Sequence, residues 1–122
     1  MAERKYDLEK RFVDYTCRMI DVVEALPTTR AGNYIAAQLV RCCHSPAFNY
    51  GEAQGAESPK DFVHKMGIIV KELKECRVAL KIITKKQMIK PISKLEEIYG
   101  ETEQLIAISA KSISTVKKNN KL

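Results

Sequence analysis

Apolar residues recur three and four positions apart over long stretches of the chain, the spacing that marks one face of an amphipathic helix. The first stretch carries Leu8, Phe12, Tyr15, Met19, Val22 and Leu26. A later stretch carries Phe62, Met66, Ile69, Leu73, Cys76, Leu80 and Ile83. The last carries Ile92, Leu95, Tyr99, Thr102, Ile106, Ser109, Ile113 and Val116. No strand signal competes with these repeats, so the pattern predicts an all-α protein.

Between the first and third stretches lies a helix whose apolar residues cover two adjacent faces. One face holds Ile35, Leu39, Cys42, Pro46 and Ala53, and the other holds Ala36, Val40, Cys43, Ala47 and Tyr50. An apolar arc this wide predicts a helix buried on two sides. Pro46 removes one backbone hydrogen bond from its interior, so a kink is expected there.

Proline and hydroxyl residues mark the helix boundaries. Pro27 ends the first helix, and Thr28 or Thr29 is suited to cap the second. Ser58, followed by Pro59, places a hydroxyl at the N-cap and a proline at the first helical position of the third helix. Pro91 suits the first turn of the fourth helix. The predicted fold is a single-domain, up-down-up-down four-helix bundle over residues 1–122, with helices at about 6–26, 29–54, 58–84 and 91–118.

Charge is distributed unevenly along the chain. The formal net charge is +6, with seven Lys and Arg against eight Asp and Glu in residues 1–57 and fourteen against seven in residues 58–122. A basic second half favours contact with an anionic polymer. No apolar run approaches the roughly 20 residues that span a bilayer, and the first residues are charged where a secretory signal is apolar. We therefore expect a cytoplasmic protein with no membrane partner.

The residues with catalytic or metal-binding chemistry form no recognisable motif. The four cysteines make no C-x-x-C pair and lie on apolar helical faces, as expected of buried free thiols in a reducing compartment. Arg41 and His44 are separated by two residues, too few for the Arg-x(4–6)-His motif of HEPN ribonucleases. A zinc site formed by Cys43, His44 and Cys76 has no known ligand spacing and is a weak alternative. We expect no catalytic residue, metal or cofactor.

A row of basic residues is the strongest functional feature of the chain. It runs along one side of the third helix and into the fourth: Lys71, Lys74, Arg77, Lys81, Lys85, Lys86, Lys90 and Lys94. A row of cations along about 20 Å of helix can meet successive phosphates, with affinity that falls as salt rises. Because it is almost all Lys, it favours contacts to the backbone over base readout. A solvated helix face explains the same pattern equally well.

Two further groups of residues are candidates for an interface. Arg41, Asn49 and Glu52 lie within about 80° of one another on the second helix, and we expect partners for them on the third helix or on a neighbouring subunit. Apolar residues also lie off the main stripes: Val13, Cys17 and Ile20 on the first helix, Ile68, Val78 and Ile82 on the third, and Ile98, Leu105 and Ile108 on the fourth. A single copy would expose many of them, which predicts a homo-oligomer.

The stretch from Gln38 to Leu80 resembles the bacterial four-helix-bundle proteins encoded by intervening sequences of 23S ribosomal RNA genes. The residues that carry the resemblance are Gln38, Leu39, Arg41, Ser45, Asn49 and Glu52, then Gly55, Ser58, Asp61 and Phe62, then Lys71, Glu72, Leu73 and Glu75. The chain departs from the family pattern at Pro46, Phe48 and Tyr50. No catalytic role attaches to the matching positions.

The resemblance implies a ring-shaped homopentamer, and related ring-forming bundles act as accessory proteins that bind nucleic acid and a reverse transcriptase. Together with the basic row, it leads to the hypothesis of a non-enzymatic oligomer that binds RNA or DNA through backbone electrostatics. The main alternative is a protein–protein interaction scaffold without a nucleic-acid ligand. A metal- or thiol-dependent helical enzyme is a third and weaker alternative.

Overall fold

The computed structural model describes residues 7–122 and over that range contains four helices and no strand. They are α1 (Leu8–Ala25), α2 (Arg30–Gln54), α3 (Pro59–Lys85) and α4 (Ser93–Asn120). Short turns join them into an up-down-up-down four-helix bundle, and this confirms the predicted fold class. Tyr6, the predicted start of the first helix, lies outside the described residues.

Side-chain caps begin α2 and α3 where the sequence places hydroxyl groups. The Thr29 hydroxyl accepts a hydrogen bond from the N–H of Gly32 at 3.0 Å, and the Ser58 hydroxyl accepts one from the N–H of Asp61 at 3.0 Å. Gly32 also allows the turn before α2 to close tightly, since a Cβ atom there would lie 1.9 Å from the carbonyl oxygen of Pro27. Local chemistry therefore sets the start of both helices.

The start of the fourth helix differs from the prediction, because Pro91 lies before α4 rather than in its first turn. The N–H of Lys94 donates to the carbonyl of Pro91 at 3.1 Å. This i→i+3 bond belongs to a turn tighter than an α-helix, so regular helix begins only at Ser93.

The fourth helix also ends later than predicted, at Asn120. Lys121 adopts a left-handed conformation, and the N–H of Leu122 donates to the carbonyl of Lys117 at 2.9 Å. Such a bond satisfies a carbonyl that the last helical turn would leave open, and this explains the two extra residues.

The core is a single apolar cluster to which all four helices contribute. As predicted, α2 packs on two sides, against α1 and α3, and Leu39, Cys42 and Cys43 are all buried. Val40 was predicted on the second apolar face but is 44% exposed, because that face is covered only in part. The helix continues through Pro46, whose missing N–H weakens the backbone ladder. Nearby, the hydroxyl of Thr16 on α1 donates to the carbonyl of Cys43 at 2.9 Å and ties α1 to this part of α2.

Two apolar residues expected on the surface are in the core. Ile98 and Leu105 of α4 are buried, because α4 packs against both α3 and α1 and its apolar arc is covered from two directions. Cys17 was predicted to be a buried thiol like the other three cysteines, but it is exposed. At 100° per residue it lies about 160° around α1 from the buried Met19, so it points away from the core.

Polar side chains bridge α1 and α4, the neighbouring helices that approach each other least closely. The Tyr15 and Thr102 hydroxyl groups share a buried hydrogen bond of 2.7 Å. Closer to the surface, Arg11 donates two hydrogen bonds, of 2.8 and 3.1 Å, to Glu101. Within residues 7–122, none of the helices has the length and hydrophobicity needed to cross a bilayer.

The Tyr15–Thr102 bond leads to a stability prediction. Tyr15→Phe removes the phenolic hydroxyl but keeps the ring, so the free energy of unfolding should fall by about 1 kcal/mol. Urea denaturation measures this change. Tyr34→Phe is the matched control, because Tyr34 is 66% exposed, and it should change the free energy by less than about 0.5 kcal/mol.

The buried hydroxyl of Tyr15 also predicts how stability depends on pH, and Tyr15→Phe tests this prediction. Burial raises the pKa of Tyr15, so above about pH 10 the unfolded chain releases this proton more readily than the folded protein does. The stability of the wild-type protein should therefore fall more steeply above pH 10 than that of Tyr15→Phe. Parallel curves for the two proteins would contradict a buried, protonated Tyr15.

Candidate nucleic-acid interface

The predicted basic row lies on the outer side of α3 and in the turn that follows it. Its seven lysines are all exposed: Lys71, Lys74, Lys81, Lys85, Lys86, Lys90 and Lys94. The first four belong to α3, Lys86 caps its C-terminus, Lys90 lies in the turn and Lys94 belongs to α4. The seven lysines therefore lie along α3, in the turn that follows it and at the start of α4.

Arg77 differs from the lysines of the row in its contact with a carboxylate. Arg77 is half-buried and donates to Glu103 of α4 at 3.2 Å. Among residues 7–122, no carboxylate lies within 4.0 Å of the side-chain nitrogen of any of the seven lysines. Lys10 and Lys65, by contrast, each contact an acid, at 2.8 and 2.6 Å. Arg77 therefore has a structural contact, and the seven lysines keep their charge available to an external anion.

Exposed apolar side chains lie among these lysines. Val78 is 54% exposed and Ile82 is 43% exposed. At 100° per residue, both fall within the same arc of about 80° as Lys71, Lys74 and Lys85. Ile68, the third interface candidate on this helix, is half-buried. The residues predicted for nucleic-acid binding and those predicted for assembly thus share one face of α3.

A shallow depression of about 690 Å³ runs from this face of α3 to its border with α2, and we call it the α2–α3 depression. It is lined by Tyr34, Ile35, Gln38 and Cys42 of α2 and by Gly67, Val70, Lys71, Lys74, Glu75, Val78, Ala79 and Ile82 of α3. Tyr34 was not a sequence candidate. A helical wheel places it to one side of the buried Ile35 and Leu39, and this is the signal that would have found it.

Arg41 pairs with α3, one of the two places predicted for its partners. Its guanidinium donates to Glu72 at 3.0 Å and also to Glu75. These bonds raise the pKa of Arg41, with the hydrogen bond to Glu75 as the largest cause. Because Glu72 is buried, Arg41 supplies a cation to a carboxylate that has little contact with water.

Asn49 and Glu52 do not join Arg41 in one cluster. The Asn49 amide donates to the carbonyl and hydroxyl oxygens of Ser45, at 3.0 and 2.8 Å, within α2 itself. Glu52 accepts a hydrogen bond from Lys65 of α3 at 2.6 Å. Each of the three residues therefore has a separate contact, and two of these contacts tie α2 to α3.

The weak zinc alternative does not match the contacts that the structure shows. Cys43 lies beside His44, with Sγ and Nδ1 3.7 Å apart, but the Sγ atom of Cys76 contacts Cys42 instead. His44 Nδ1 donates to the carbonyl of Val40 at 2.6 Å, and its ring stacks on Phe48. In the described part of the chain, no three Cys, His, Asp or Glu residues are placed to hold a metal ion.

Fold and surface together define a four-helix bundle with a basic face along its third helix. The chain belongs to the 23S rRNA-intervening sequence protein family, whose sequence profile matches residues 4–111. The match extends the resemblance seen between Gln38 and Leu80 over most of the chain and confirms it.

Comparison with solved structures supports the same fold. The chain is similar to a protein with unknown function from the S23 ribosomal protein family of Bacteroides thetaiotaomicron VPI-5482, with a TM-score of 0.79 and 21% sequence identity. The similar region covers 86% of this chain and 96% of that protein. No curated protein matches the chain in sequence.

Loss of the contact between Arg41 and the buried Glu72 should make the protein less stable. Arg41→Ala would leave the Glu72 carboxylate buried without its cation, so the melting temperature should fall by roughly 5 °C. Arg18→Ala is the matched control, because its partner Glu97 is largely exposed, and a shift below about 2 °C is expected. Calorimetry of both variants provides the comparison, and equal shifts would show that burial of Glu72 carries no weight.

Proposed function

We propose that this protein is a non-enzymatic homo-oligomer that binds RNA or DNA through backbone electrostatics. The observation that carries the proposal is the set of seven exposed lysines, none of which contacts a carboxylate among residues 7–122. The two acids in this part of α3, Glu72 and Glu75, both pair with Arg41, so the exposed lysines beside them keep their positive charge.

The spacing of the lysines suits a phosphate backbone. Lys71 and Lys85 are fourteen residues apart on one helix, which corresponds to about 21 Å along its axis. Phosphates in one strand repeat every 3.4 Å along a duplex axis, so several lie within reach of such a row. Lysine makes point-charge contacts rather than bidentate contacts to base edges, so we expect weak sequence preference and steep salt dependence.

Assembly would strengthen such contacts. Val78 and Ile82 lose exposed apolar area if a second copy covers them, and the neighbouring lysines would then lie around the rim of that interface. Several copies present several basic rows to one polyanion, and linked weak sites bind far more tightly than single ones. The homopentamer that the family resemblance implies is the stoichiometry we propose.

A protein–protein scaffold is the second candidate, and the α2–α3 depression favours it. Its lining is mainly apolar, and Tyr34 provides an exposed aromatic ring at its edge. A depression of this kind fits a helix or loop of a partner protein as well as a second copy of the chain. In that case the lysines would serve solubility.

Absence of catalysis and a cytoplasmic location complete the proposal. Cys43 lies beside His44, but burial raises the pKa of Cys43 to about 12, so the pair lacks the activated thiolate that Cys–His catalysis requires. Cys42, Cys43 and Cys76 are buried free thiols, which persist in a reducing compartment.

The nucleic-acid proposal is tested by reversing three charges of the row. Lys74→Glu, Lys81→Glu and Lys85→Glu together lower the formal net charge from +6 to 0. Affinity for mixed-sequence RNA and duplex DNA should fall at least tenfold, and the slope of log K against log salt should decrease by about 2.7 for duplex DNA. Fluorescence anisotropy across a salt series measures both quantities.

The matched control reverses Lys111, Lys117 and Lys118, which makes the same change in net charge on the C-terminal half of α4. This control should bind nearly as the wild-type protein does. If both triple variants lose the same affinity, the effect comes from net charge alone and the α3 lysines are not a binding site. Loss of binding together with a shift of the α3 variant to monomer would assign the lysines to the assembly interface.

The assembly proposal is tested by Ile82→Glu. A carboxylate on this face would be desolvated by a second copy, so light scattering should show the mass shift toward the 13.8 kDa of one chain. Val40→Glu is the control on α2, because Val40 is comparably exposed at 44% and is not an interface candidate, and its mass should stay that of the oligomer. An unchanged mass for Ile82→Glu, with circular dichroism confirming its fold, would place the interface elsewhere.

A further inference from the structure

Two buried thiols meet at the border between α2 and α3. The Sγ atoms of Cys42 and Cys76 are 3.3 Å apart, roughly 1.3 Å farther than in a disulfide bond. Cys43 points to the carbonyl of Val40 and to His44, and Cys17 is exposed on α1. We propose that Cys42 and Cys76 are an oxidation site, at which a peroxide converts the two thiols into one disulfide that joins α2 to α3.

The contact makes the two sulfurs chemically different. The S–H of Cys76 donates to the Sγ atom of Cys42. This bond lowers the pKa of Cys42 against the effect of burial, and it raises the pKa of Cys76, which keeps its proton. The charge on Arg41 also lowers the pKa of Cys42, while Glu75 and Glu72 oppose it. Cys42 is therefore the nucleophile of the pair and Cys76 the thiol that resolves the intermediate.

The positions of the two sulfurs also indicate that Cys42 reacts first and Cys76 second. Cys42 contributes to the lining of the α2–α3 depression, and a molecule as small as hydrogen peroxide can approach it from there. Cys76 lies behind it and is wholly buried. Burial raises the pKa of the neighbouring Cys43 to about 12, so Cys43 remains a thiol at neutral pH and is a suitable control.

The reaction balances with peroxide as the only co-reactant. The Cys42 thiolate attacks one peroxide oxygen, so an S–O bond forms, the O–O bond breaks, and hydroxide leaves and takes a proton to become water. The Cys76 sulfur then attacks the sulfenic sulfur of Cys42. An S–S bond forms, the S–O bond breaks, and the hydroxyl group leaves with the Cys76 proton as a second water. Two electrons pass from the two thiols to the peroxide.

The experiment treats the full-length protein with hydrogen peroxide and follows it by intact mass and peptide mapping. Cys17→Ser is used as the background, because the exposed Cys17 can join two chains. The expected product is about 2 Da lighter than the starting protein, with the peptide that begins at Cys42 linked to the peptide that contains Cys76. The disulfide should raise the melting temperature by roughly 5–10 °C, and a reductant should reverse the shift.

Three single variants identify the sulfurs. Cys43→Ser should still form the cross-link, and it makes the assignment unambiguous because Cys42 and Cys43 fall in one tryptic peptide. Cys42→Ser and Cys76→Ser should each abolish the cross-link, with circular dichroism confirming that both are folded. If either serine variant does not fold, the linked peptide in Cys43→Ser still decides the matter.

Two results would overturn the proposal. In one, the end point of the reaction holds only sulfinic or sulfonic cysteine with no loss of 2 Da. In the other, the cross-link involves Cys43 rather than Cys42. Both are read at the end point, which does not depend on how fast the oxidant reaches Cys42 or on whether a second copy covers the depression.

Discussion

Burial of α2 on two sides is the constraint on which the rest of this bundle depends. Leu39, Cys42 and Cys43 are almost wholly removed from water, and each is in contact with the common core. This position brings Arg41 against two acids of α3 and Cys42 against Cys76. Tight packing on both sides leaves α2 little freedom to rotate, so these cross-helix contacts follow from its core packing rather than cause it.

The outer face of α3 combines two opposing physical demands. Val78 and Ile82 gain free energy if water is removed from them, whereas the lysines beside them would lose hydration in the same environment. An interface centred on the apolar pair with lysines at its rim meets both demands, because lysine can pack its carbon chain while its charge stays in water. Assembly and polyanion binding are thus compatible on one face if each uses a different part of it.

Family membership and the contacts of the motif residues carry different information. The chain belongs to the 23S rRNA-intervening sequence protein family, and its fold agrees with that of a structurally similar bacterial protein. Within the structure, Arg41, Asn49 and Glu52 all have partners in the same chain. These positions therefore have a structural explanation that requires no ligand, and the functional proposal depends on the lysines instead.

The sequence by itself determined the helical class, the bundle topology, the burial of α2 and the starts of α2 and α3. Periodicity and caps are local, so neighbouring residues such as Thr29 and Ser58 contain the necessary information. The predicted start of α4, at Pro91, is two residues too early. The carbonyl of Pro91 accepts a hydrogen bond from the N–H of Lys94, and this bond forms a turn that is tighter than an α-helix. The basic row was also visible in the sequence, since spacing alone places its residues on one side of a helix.

Only the tertiary structure decided which side chains meet. Ile98 and Leu105 are buried because α4 has two neighbours, and Cys76 contacts Cys42 rather than Cys43 because of how α2 is rotated against α3. Among residues 7–122, Arg77 pairs with Glu103 and the lysines of the row contact no carboxylate, although all share the same spacing in sequence. Periodicity assigns a residue to a side of its own helix, but contact with another helix depends on the rotation and separation of both, and these are set by packing of the whole core.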